Sequence, residues 1–449
     1  MYNPNMNLTL ARALRVDESN CIAFVGSGGK SSALFQLARE LKPPVIVTAT
    51  SHLGTWQLAG ADKHIAMKSR GDVSELDNDL RGVVLITGSI EDKRTKPISD
   101  EVLASLRQFC LGRSIPMLIE ADGSRQKPLK GWAEHEPPIP EFANHVVQLV
   151  GLSGLGKPLT EEYVHRPKIF SRLSETKLGE HIKAEGIINA LLHPEGARKN
   201  FPSGARRTVM LNQADTPELQ ASARGMVQPL LSGFDSVVIA DLKQEKIFAA
   251  HERVAGIILA AGKSSRFGEP KQLLDWRGEP FVRTVAKKAL EAGLSPALIV
   301  VGAHQDVVRN AVNDLDARIV ENENWKDGQS ASIKAGVNSL LSREPNTGAA
   351  IFLLVDQPQI TTSVLEALKE KHAEGLYSIV APMVMDRRAN PVLFDRGVFP
   401  DLLTLEGDVG GRAIFRHHQV EYLPWHDDRL LLDVDMPEHY QRLLADETL

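Results

Sequence analysis

Residues 254–274, VAGIILAAGKSSRFGEPKQLL, decide the fold of the second half of the chain. The apolar run 254–259 has the composition of a buried strand and no helical period, and small residues follow it at 260–262. Backbone N–H groups in such a turn can approach phosphate oxygens closely. Arg266 and Lys271 supply the charge that a triphosphate and a departing pyrophosphate require. The pattern therefore predicts a nucleotide-binding loop, because the alternative, a structural turn, explains the glycines but not the cations. The predicted nucleotide-binding residues of this loop are Ala260, Ala261, Gly262, Ser264, Ser265 and Gly268.

Strand and helix patterns alternate through the rest of this half, which predicts a parallel sheet with helices on both faces. One apolar strand, 351–355, delivers Asp356 directly at its end. An aspartate there is costly to bury unless it meets a cation, and Mg²⁺ bridging phosphates is the obvious partner. The alternative is a capping aspartate before Thr361. Asp356 is therefore the leading predicted metal ligand.

At these residues the chain resembles the small nucleotidyltransferases, and the KQLL of residues 271–274 makes it most similar to the molybdenum cofactor cytidylyltransferase branch. The resemblance implies a Rossmann-like (GT-A-like) α/β domain that transfers CMP from CTP to molybdopterin, with Mg²⁺ as cofactor and pyrophosphate as product. In that family the glycine-rich loop holds the nucleotide. The arginine, here Arg266, contacts the β/γ phosphates, and the lysine, here Lys271, stabilises charge at the transferred α-phosphate.

The same resemblance assigns further residues around the nucleotide and the acceptor. It implies Asp435 as a second metal ligand and Ser330 near the base, although Ser330 at a helix start is equally typical of a cap. Asp408 and Arg412 lie at a glycine-rich helix start suited to a phosphate or a pterin, with a capping ion pair as the alternative. The predicted residues for the molybdenum cofactor substrate are Asn390, Pro391, Asp408, Gly410 and Arg412.

The first half of the chain contains a strand, a glycine loop, a Lys-Ser pair and a helix in that order, and this succession is typical of a phosphate-binding motif. Lys30 can reach β/γ oxygens and the Ser31 hydroxyl can ligate magnesium. Phe24 stands where the usual pattern has its first glycine, so the loop is shortened, and the alternative is a tight βα turn with a solvated lysine. Asp122, and second Glu120, follow an apolar strand and are predicted to meet the metal. The residues predicted to bind a second nucleotide are Gly26, Gly28, Gly29, Lys30 and Ser31.

Four segments of the first half, VGSGGKSS, IEADGSRQKPLKGWAEHEPPIP, VGLSGLGKPLTEEYVHRP and LNQAD, resemble the YqeC-type family associated with maturation of selenium-dependent molybdenum hydroxylases. This resemblance implies a phosphate-loop-like α/β accessory domain that binds a nucleotide, and a molybdenum hydroxylase apoprotein as partner. It does not imply hydrolysis. Asn212 and Asp215 in LNQAD have the spacing of a base-reading pair, in which Asp215 would accept donors of a purine edge.

Length and composition set the wider limits. A chain of 449 residues is too long for one ordinary core, so we expect two α/β domains, residues 1–252 and 253–449. A net charge of −5 gives no basic field for nucleic acid. No apolar run suits a signal peptide or a membrane span, so we expect a cytoplasmic protein with no membrane partner. Cys21 and Cys110 lie in apolar settings typical of buried free thiols.

Three other functions fit the same motifs. The rival enzymes are a guanylyltransferase acting on molybdopterin and a nucleotidyltransferase acting on a sugar phosphate, because base choice depends on contacts that sequence does not show. A different class is a non-catalytic nucleotide-binding maturation chaperone. Lys271 and Asp356 argue against the chaperone for the second half of the chain, but not for the first.

Overall fold

A computed structural model describes residues 8–76, 80–263, 267 and 269–445. The chain divides into two compact units, unit 1 (Met1–Ala250) and unit 2 (His251–Leu449). Strands and helices alternate in both units, so both have the α/β architecture predicted from the sequence.

Unit 1 is built on a sheet with the order β13-β12-β11-β9-β1-β7-β2-β4-β3. The register pairs within the run from β12 to β3 are parallel. Two short pairs, β5 with β6 and β8 with β10, stand apart from this sheet. The strands are β1 (Cys21–Gly26), β2 (Val45–Ala49), β3 (Lys63–Ala66), β4 (Val83–Thr87), β5 (Ile90–Glu91), β6 (Arg94–Thr95), β7 (Met117–Glu120), β8 (Leu129–Lys130), β9 (His145–Gly151), β10 (Val164–His165), β11 (Arg206–Asn212), β12 (Ser236–Asp241) and β13 (Lys246–Glu252). The helices are α1 (Leu10–Ala13), α2 (Lys30–Glu40), α3 (Arg70–Ser74), α4 (Asp100–Leu111), α5 (Pro167–Ser174), α6 (Ala184–Leu192) and α7 (Pro217–Leu230).

Apolar clusters cover the sheet of unit 1. The cluster that holds Ala23 and Val25 of β1 takes in the buried side of α4, and the cluster that holds Val209 of β11 takes in α6 and α7. Strands covered in this way are buried along their whole length and mostly apolar, as β1, β2 and β4 are. Cys21 and Cys110 lie in the first cluster as buried free thiols, as predicted, and burial raises the pKa of each to about 12.

Unit 2 has a sheet with the order β18-β17-β14-β19-β22-β20-β21, and β23 pairs with β20. Its strands are β14 (Val254–Ala260), β15 (Asp275–Trp276), β16 (Glu279–Pro280), β17 (Ala297–Val301), β18 (Arg318–Glu321), β19 (Ala349–Leu354), β20 (Ile379–Val384), β21 (Arg387–Arg388), β22 (Val392–Asp395) and β23 (Val420–Pro424). Its helices are α8 (Phe281–Glu291), α9 (Gln305–Ala311), α10 (Gln329–Arg343), α11 (Thr362–Gly375), α12 (Phe399–Leu402) and α13 (Pro437–Ala445).

The sheet of unit 2 is mixed rather than wholly parallel. β14, β17, β18 and β19 are parallel neighbours, as predicted. β22 runs antiparallel to both β19 and β20. Successive residues of β14 face opposite sides, with Ile258 in a cluster that takes in α8 and α11 and Ile257 in a cluster that takes in α10 and α12. The prediction of helices on both faces is therefore confirmed.

The close approach of α10 to β14 gives a stability prediction at Gly336. A Cβ there would lie 2.7 Å from Ile257 Cγ2, whereas a Cβ at Gly225 of α7 would have no neighbour within 4 Å. Alanine favours both helices by about 1 kcal/mol, but overpacking costs about 1–3 kcal/mol. We expect Gly225→Ala to raise the free energy of unfolding by about 1 kcal/mol and Gly336→Ala to lower it by about 1 kcal/mol. Denaturant unfolding of the paired variants checks this, and equal shifts at the two glycines would contradict it.

Candidate functional site

Two parallel strands of unit 2 bring the predicted loop and the predicted acidic residue to one edge of the sheet. β14 pairs with β19, and Leu259 lies opposite Leu354. The loop follows Ala260 at the end of β14, and Asp356 comes just after β19 ends. Parallel neighbours leave a sheet at the same edge, which is where α/β proteins bind ligands.

Lys271 joins two of the predicted carboxylates. Its Nζ donates to Asp356 Oδ2 at 2.9 Å and to Asp435 Oδ1 at 2.9 Å. Burial by itself lowers the pKa of Lys271, but the charges and hydrogen bonds of the two aspartates outweigh burial, so the pKa is raised above its ordinary value. The ammonium group is therefore charged at neutral pH. Three residues predicted from distant segments thus meet at one point.

The start of the loop after β14 is held by Gln272, which the sequence marked only as part of the KQLL motif. Gln272 is buried, and its Nε2 donates to Ala260 O at 2.9 Å and to Gly262 O at 2.7 Å. These two bonds hold the backbone of residues 260–262 in place. No described atom lies within 4 Å of the position that a Cβ of Gly262 would take, so the loop faces open space there.

The acidic side of the site carries more negative charge than Lys271 balances. Asp356 Oδ1 is buried and has no hydrogen-bond partner in the described part of the chain. Asp433 accepts a bond from Gln357 Nε2 at 2.7 Å, and burial, together with the nearby Asp356 and Asp435, raises its pKa. Asp356 and Asp435 offer hard oxygen donors beside Lys271, which suits a divalent cation such as Mg²⁺. Asp356 and Asp435 are the residues that fit this role.

A cavity of about 250 Å³ opens beside the ends of β14 and β19. Three of the residues predicted for the cofactor substrate, Asn390, Gly410 and Arg412, line it, and apolar side chains such as Phe352 form much of its wall. Pro391 is buried next to the cavity-lining Asn390. The positive charge of Arg412 opposes the rise in the pKa of Asp433. The cavity is therefore linked electrostatically to the carboxylates.

Asp408 and Ser330 lie at the start of α10 rather than on the wall of the cavity. Asp408 Oδ1 accepts a bond from Gln329 N at 3.3 Å, and Ser330 N donates to Gly407 O at 3.3 Å. Arg412 Nη2 donates to Arg388 O at 3.4 Å, and no ion pair joins Arg412 to Asp408 among the residues that the structure describes, so the capping ion pair is not observed. The N-cap of α10 is Gly328, so Ser330 is not the cap either. Asp408 instead stabilises the helix start through the backbone.

Four predicted nucleotide-site residues lie outside the described residues. They are Ser264, Ser265, Arg266 and Gly268. Their roles, including the contact of Arg266 with phosphates, stay predictions from the sequence.

In unit 1, the glycine loop and the acidic strand end also come together. β1 and β7 are parallel neighbours, with Phe24 opposite Glu120. Lys30 Nζ donates to Gly26 O at 2.7 Å and lies 3.3 Å from Asp122 Oδ1. Asp122 also accepts from Gly26 N at 3.0 Å and from Lys130 Nζ at 2.8 Å.

These contacts bear on the predicted metal ligand of unit 1. Asp122 is 1% exposed and its oxygens bind two lysines and a loop amide, so it has no open face for a metal. Glu120 is partly exposed and accepts a bond from Ser31 Oγ at 2.9 Å. Burial raises the pKa of Glu120, and the charge of Lys30 opposes that rise. The geometry therefore favours Glu120, the second choice from the sequence, over Asp122.

Further polar residues of unit 1, among them the predicted Asn212 and Asp215, have varied positions. Asn212 Nδ2 donates to Gly28 O at 2.7 Å and Asn212 Oδ1 accepts from Leu242 N at 3.0 Å, so its amide holds the loop rather than a base. Asp215 and His135 are exposed. Glu136 lies 3.3 Å from the buried Lys130 and pairs with Arg166.

The fold of unit 2 and its site define an α/β nucleotidyltransferase domain. The chain belongs to the MobA-like NTP transferase domain family, whose family model matches residues 256–442. A second family model, that of the YqeC protein, matches residues 22–168. Both resemblances seen in the sequence are thereby confirmed at the level of the family.

Individual relatives match one half of the chain or the other. Nicotine blue oxidoreductase of Paenarthrobacter nicotinovorans is 32% identical over 200 residues, which cover 42% of this chain and 96% of that protein. The uncharacterized protein YqeC of Escherichia coli (strain K12) is 28% identical over 236 residues, covering 51% of this chain and 90% of that protein. A probable molybdenum cofactor guanylyltransferase of Bacillus mycoides (strain KBAB4) is 28% identical over 138 residues, covering 30% of this chain and 64% of that protein.

Among the described residues, none of the helices combines the length and the apolar character that crossing a membrane requires.

Proposed function

We propose that unit 2 transfers a cytidylyl group from CTP to the terminal phosphate of molybdopterin and releases pyrophosphate. The observation that carries the proposal is the position of Lys271, 2.9 Å from Asp356 and 2.9 Å from Asp435, beside the loop that Gln272 holds. One relative of the same unit is named an oxidoreductase, so these residues, rather than the fold, support the proposal.

The reaction needs no covalent intermediate on the protein. An oxygen of the acceptor phosphate forms a bond to the α-phosphorus of CTP as the bond from that phosphorus to the pyrophosphate breaks. The difficulty is that two anions must approach each other, so positioning and positive charge supply most of the catalysis. Mg²⁺, when held by Asp356 and Asp435, would neutralise phosphate charge.

Each side of the site has a part in this scheme. Lys271 places a fixed positive charge next to the carboxylates, where the transferred α-phosphate comes to lie. Gln272 holds residues 260–262, the start of the loop whose backbone N–H groups meet the nucleotide. The cavity lined by Asn390, Gly410 and Arg412 takes the pterin, since its wall is largely apolar and its charged residue is an arginine suited to a phosphate.

The test is pyrophosphate release by the full chain with molybdopterin, Mg²⁺ and each of the four nucleoside triphosphates in turn. We expect CTP to give the highest kcat/KM and EDTA to stop the reaction. A preference for GTP would favour the guanylyltransferase alternative, to which the Bacillus mycoides relative belongs by name. Release that does not depend on molybdopterin, but needs a sugar phosphate, would favour the other rival enzyme.

We also propose that unit 1 acts in maturation of a molybdenum hydroxylase apoprotein. The match to the YqeC family model supports this role, because the YqeC-type family is associated with maturation of selenium-dependent molybdenum hydroxylases. Hydroxylase activity in cells with and without this chain tests it, and equal activities would contradict it.

A further inference from the structure

Residues 26–31 of unit 1, the glycine loop with the first residues of α2, have the features of a second nucleotide site, separate from the transferase site of unit 2. We infer that it binds a nucleoside triphosphate with Mg²⁺, with Ser31 and Glu120 at the metal and Lys30 at the phosphates. The inference does not rest on the function proposed for unit 2. Four observations in unit 1 support it.

The first observation is the shape of the loop. Gly26, Gly28 and Gly29 have φ values of +89°, +81° and +126°, in the region that favours glycine. A Cβ on Gly28 would lie 2.4 Å from the backbone of Gly151, so the loop lies tightly against the neighbouring strand. Successive N–H groups in such a loop, followed by the first turn of a helix, form a concave site for an anion. The helix α2 that follows has 11 residues.

The second observation is a hydroxyl–carboxylate pair at the start of α2. Ser31 Oγ donates to Glu120 Oε2 at 2.9 Å, and Gln57 Nε2 lies 2.7 Å from Ser31 Oγ and 3.2 Å from Glu120 Oε2. A hydroxyl and a carboxylate side by side are oxygen donors of the kind that magnesium takes when it also binds phosphates. Gln57, which the sequence analysis did not single out, fixes both groups.

The third observation is the position of the lysine. Lys30 is 5% exposed, and its Nζ donates to Gly26 O at 2.7 Å and to Ser124 Oγ at 3.3 Å. Asp122, 3.3 Å away, holds the ammonium group over the loop. A phosphate oxygen in the loop would replace these neutral acceptors with a charged one, which makes a stronger hydrogen bond.

The fourth observation is a buried polar atom that has no hydrogen-bond partner in the described part of the chain. Gln148 is 0% exposed, its amide packs against Gly26 of the loop, and its Oε1 is unpaired. Buried polar atoms are nearly always paired in proteins. An unpaired amide oxygen on a side chain packed against this loop indicates that a bound group or its water completes the site.

The test uses the full chain and titrates it with AMP-PNP or GMP-PNP, each with Mg²⁺, in a calorimeter. We expect Ser31→Ala and Glu120→Gln each to weaken Mg²⁺-dependent binding at least tenfold. Ser32→Ala and Glu134→Gln, which change exposed residues of the same unit, are the matched controls and should bind like the unchanged chain. Binding at this loop should survive Lys271→Ala.

The outcomes separate this inference from the function of unit 2. Lys271→Ala should lower pyrophosphate release, which tests unit 2, while Mg²⁺-dependent nucleotide binding at the loop of unit 1 is retained. Nucleotide binding that is equal in Ser31→Ala, Glu120→Gln and the controls would overturn the inference, and so would binding at the loop that EDTA does not weaken. Circular dichroism and thermal unfolding show whether each variant folds. If Glu120→Gln does not fold, nucleotide binding by Ser31→Ala alone tests the inference.

Discussion

Replacing Lys271 by alanine is expected to lower kcat for pyrophosphate release by about 10²-fold or more, the effect of losing one charge-stabilising donor. Lys271 supplies the fixed positive charge of the site, and its two aspartate contacts hold the ammonium group beside the loop. That charge matters most as negative charge moves toward the leaving pyrophosphate. We therefore expect kcat to fall more than KM rises. Steady-state kinetics with CTP and molybdopterin measure both constants.

The control for this prediction is a lysine of the same unit that lies away from the site. Lys288 of α8 pairs with Glu291 at 3.1 Å, and Lys288→Ala should leave kcat within about twofold, because an exposed pair of this kind contributes little. Near-normal turnover in Lys271→Ala would reject the role given to this residue. A matching loss in Lys288→Ala would point to a general effect on unit 2 instead.

Lys271→Arg tests whether a positive charge alone is sufficient at this position. Arginine keeps the charge, but its planar group cannot meet Asp356 and Asp435 with the geometry of a compact ammonium. If charge alone were sufficient, this variant would recover most of the turnover. We expect partial recovery, since the two carboxylates also fix where the charge lies.

The sequence could predict most of the architecture because the alternation of strand and helix patterns is a local signal. It could not predict the direction of β22. Every residue of that strand is buried, and a buried apolar run looks the same whether its neighbours are parallel or antiparallel. The direction depends on the long-range pairing of Phe352 with Val392 rather than on a local pattern.

The candidate sites show the same division between local and long-range information. The strand-end position of Asp356 was visible in the sequence because an aspartate after an apolar strand is a local anomaly. The choice between Glu120 and Asp122 was not, because both lie at the end of the same strand and both are acidic. What separates them is the position of two lysines, one in the loop and one eight residues beyond Asp122. Likewise, Gln272 was visible as a member of the KQLL motif, but its bonds to the carbonyl groups of Ala260 and Gly262 were not, because they join residues ten or more positions apart.

The role of Asp122 leads to a large expected effect on stability. Its carboxylate is fully buried and pairs with Lys30 at 3.3 Å and with Lys130 at 2.8 Å, and both lysines are buried as well. Asp122→Asn removes the negative charge and leaves two buried ammonium groups, one of them still near Glu136 at 3.3 Å. Breaking a buried ion pair by removing one partner typically costs about 3–5 kcal/mol. We expect the free energy of unfolding of unit 1 to fall by that amount.

Urea unfolding of the full chain measures this loss of stability. Glu120→Gln is the comparison, because it neutralises a nearby carboxylate that forms no ion pair with a buried lysine in the described part of the chain. Glu120 bonds to the neutral side chains of Ser31 and Gln57, and glutamine can still accept those hydrogen bonds. Glu120→Gln should therefore cost far less stability than Asp122→Asn, and Asp215→Asn, at an exposed position, should cost almost none. If Asp122→Asn unfolded like Asp215→Asn, the carboxylate would not be holding the lysines, and it would return as a candidate ligand for the metal. A large loss of stability in Asp122→Asn with a small loss in Glu120→Gln would show that Asp122 stabilises the fold around the loop. Glu120 would then remain the candidate to bind the metal.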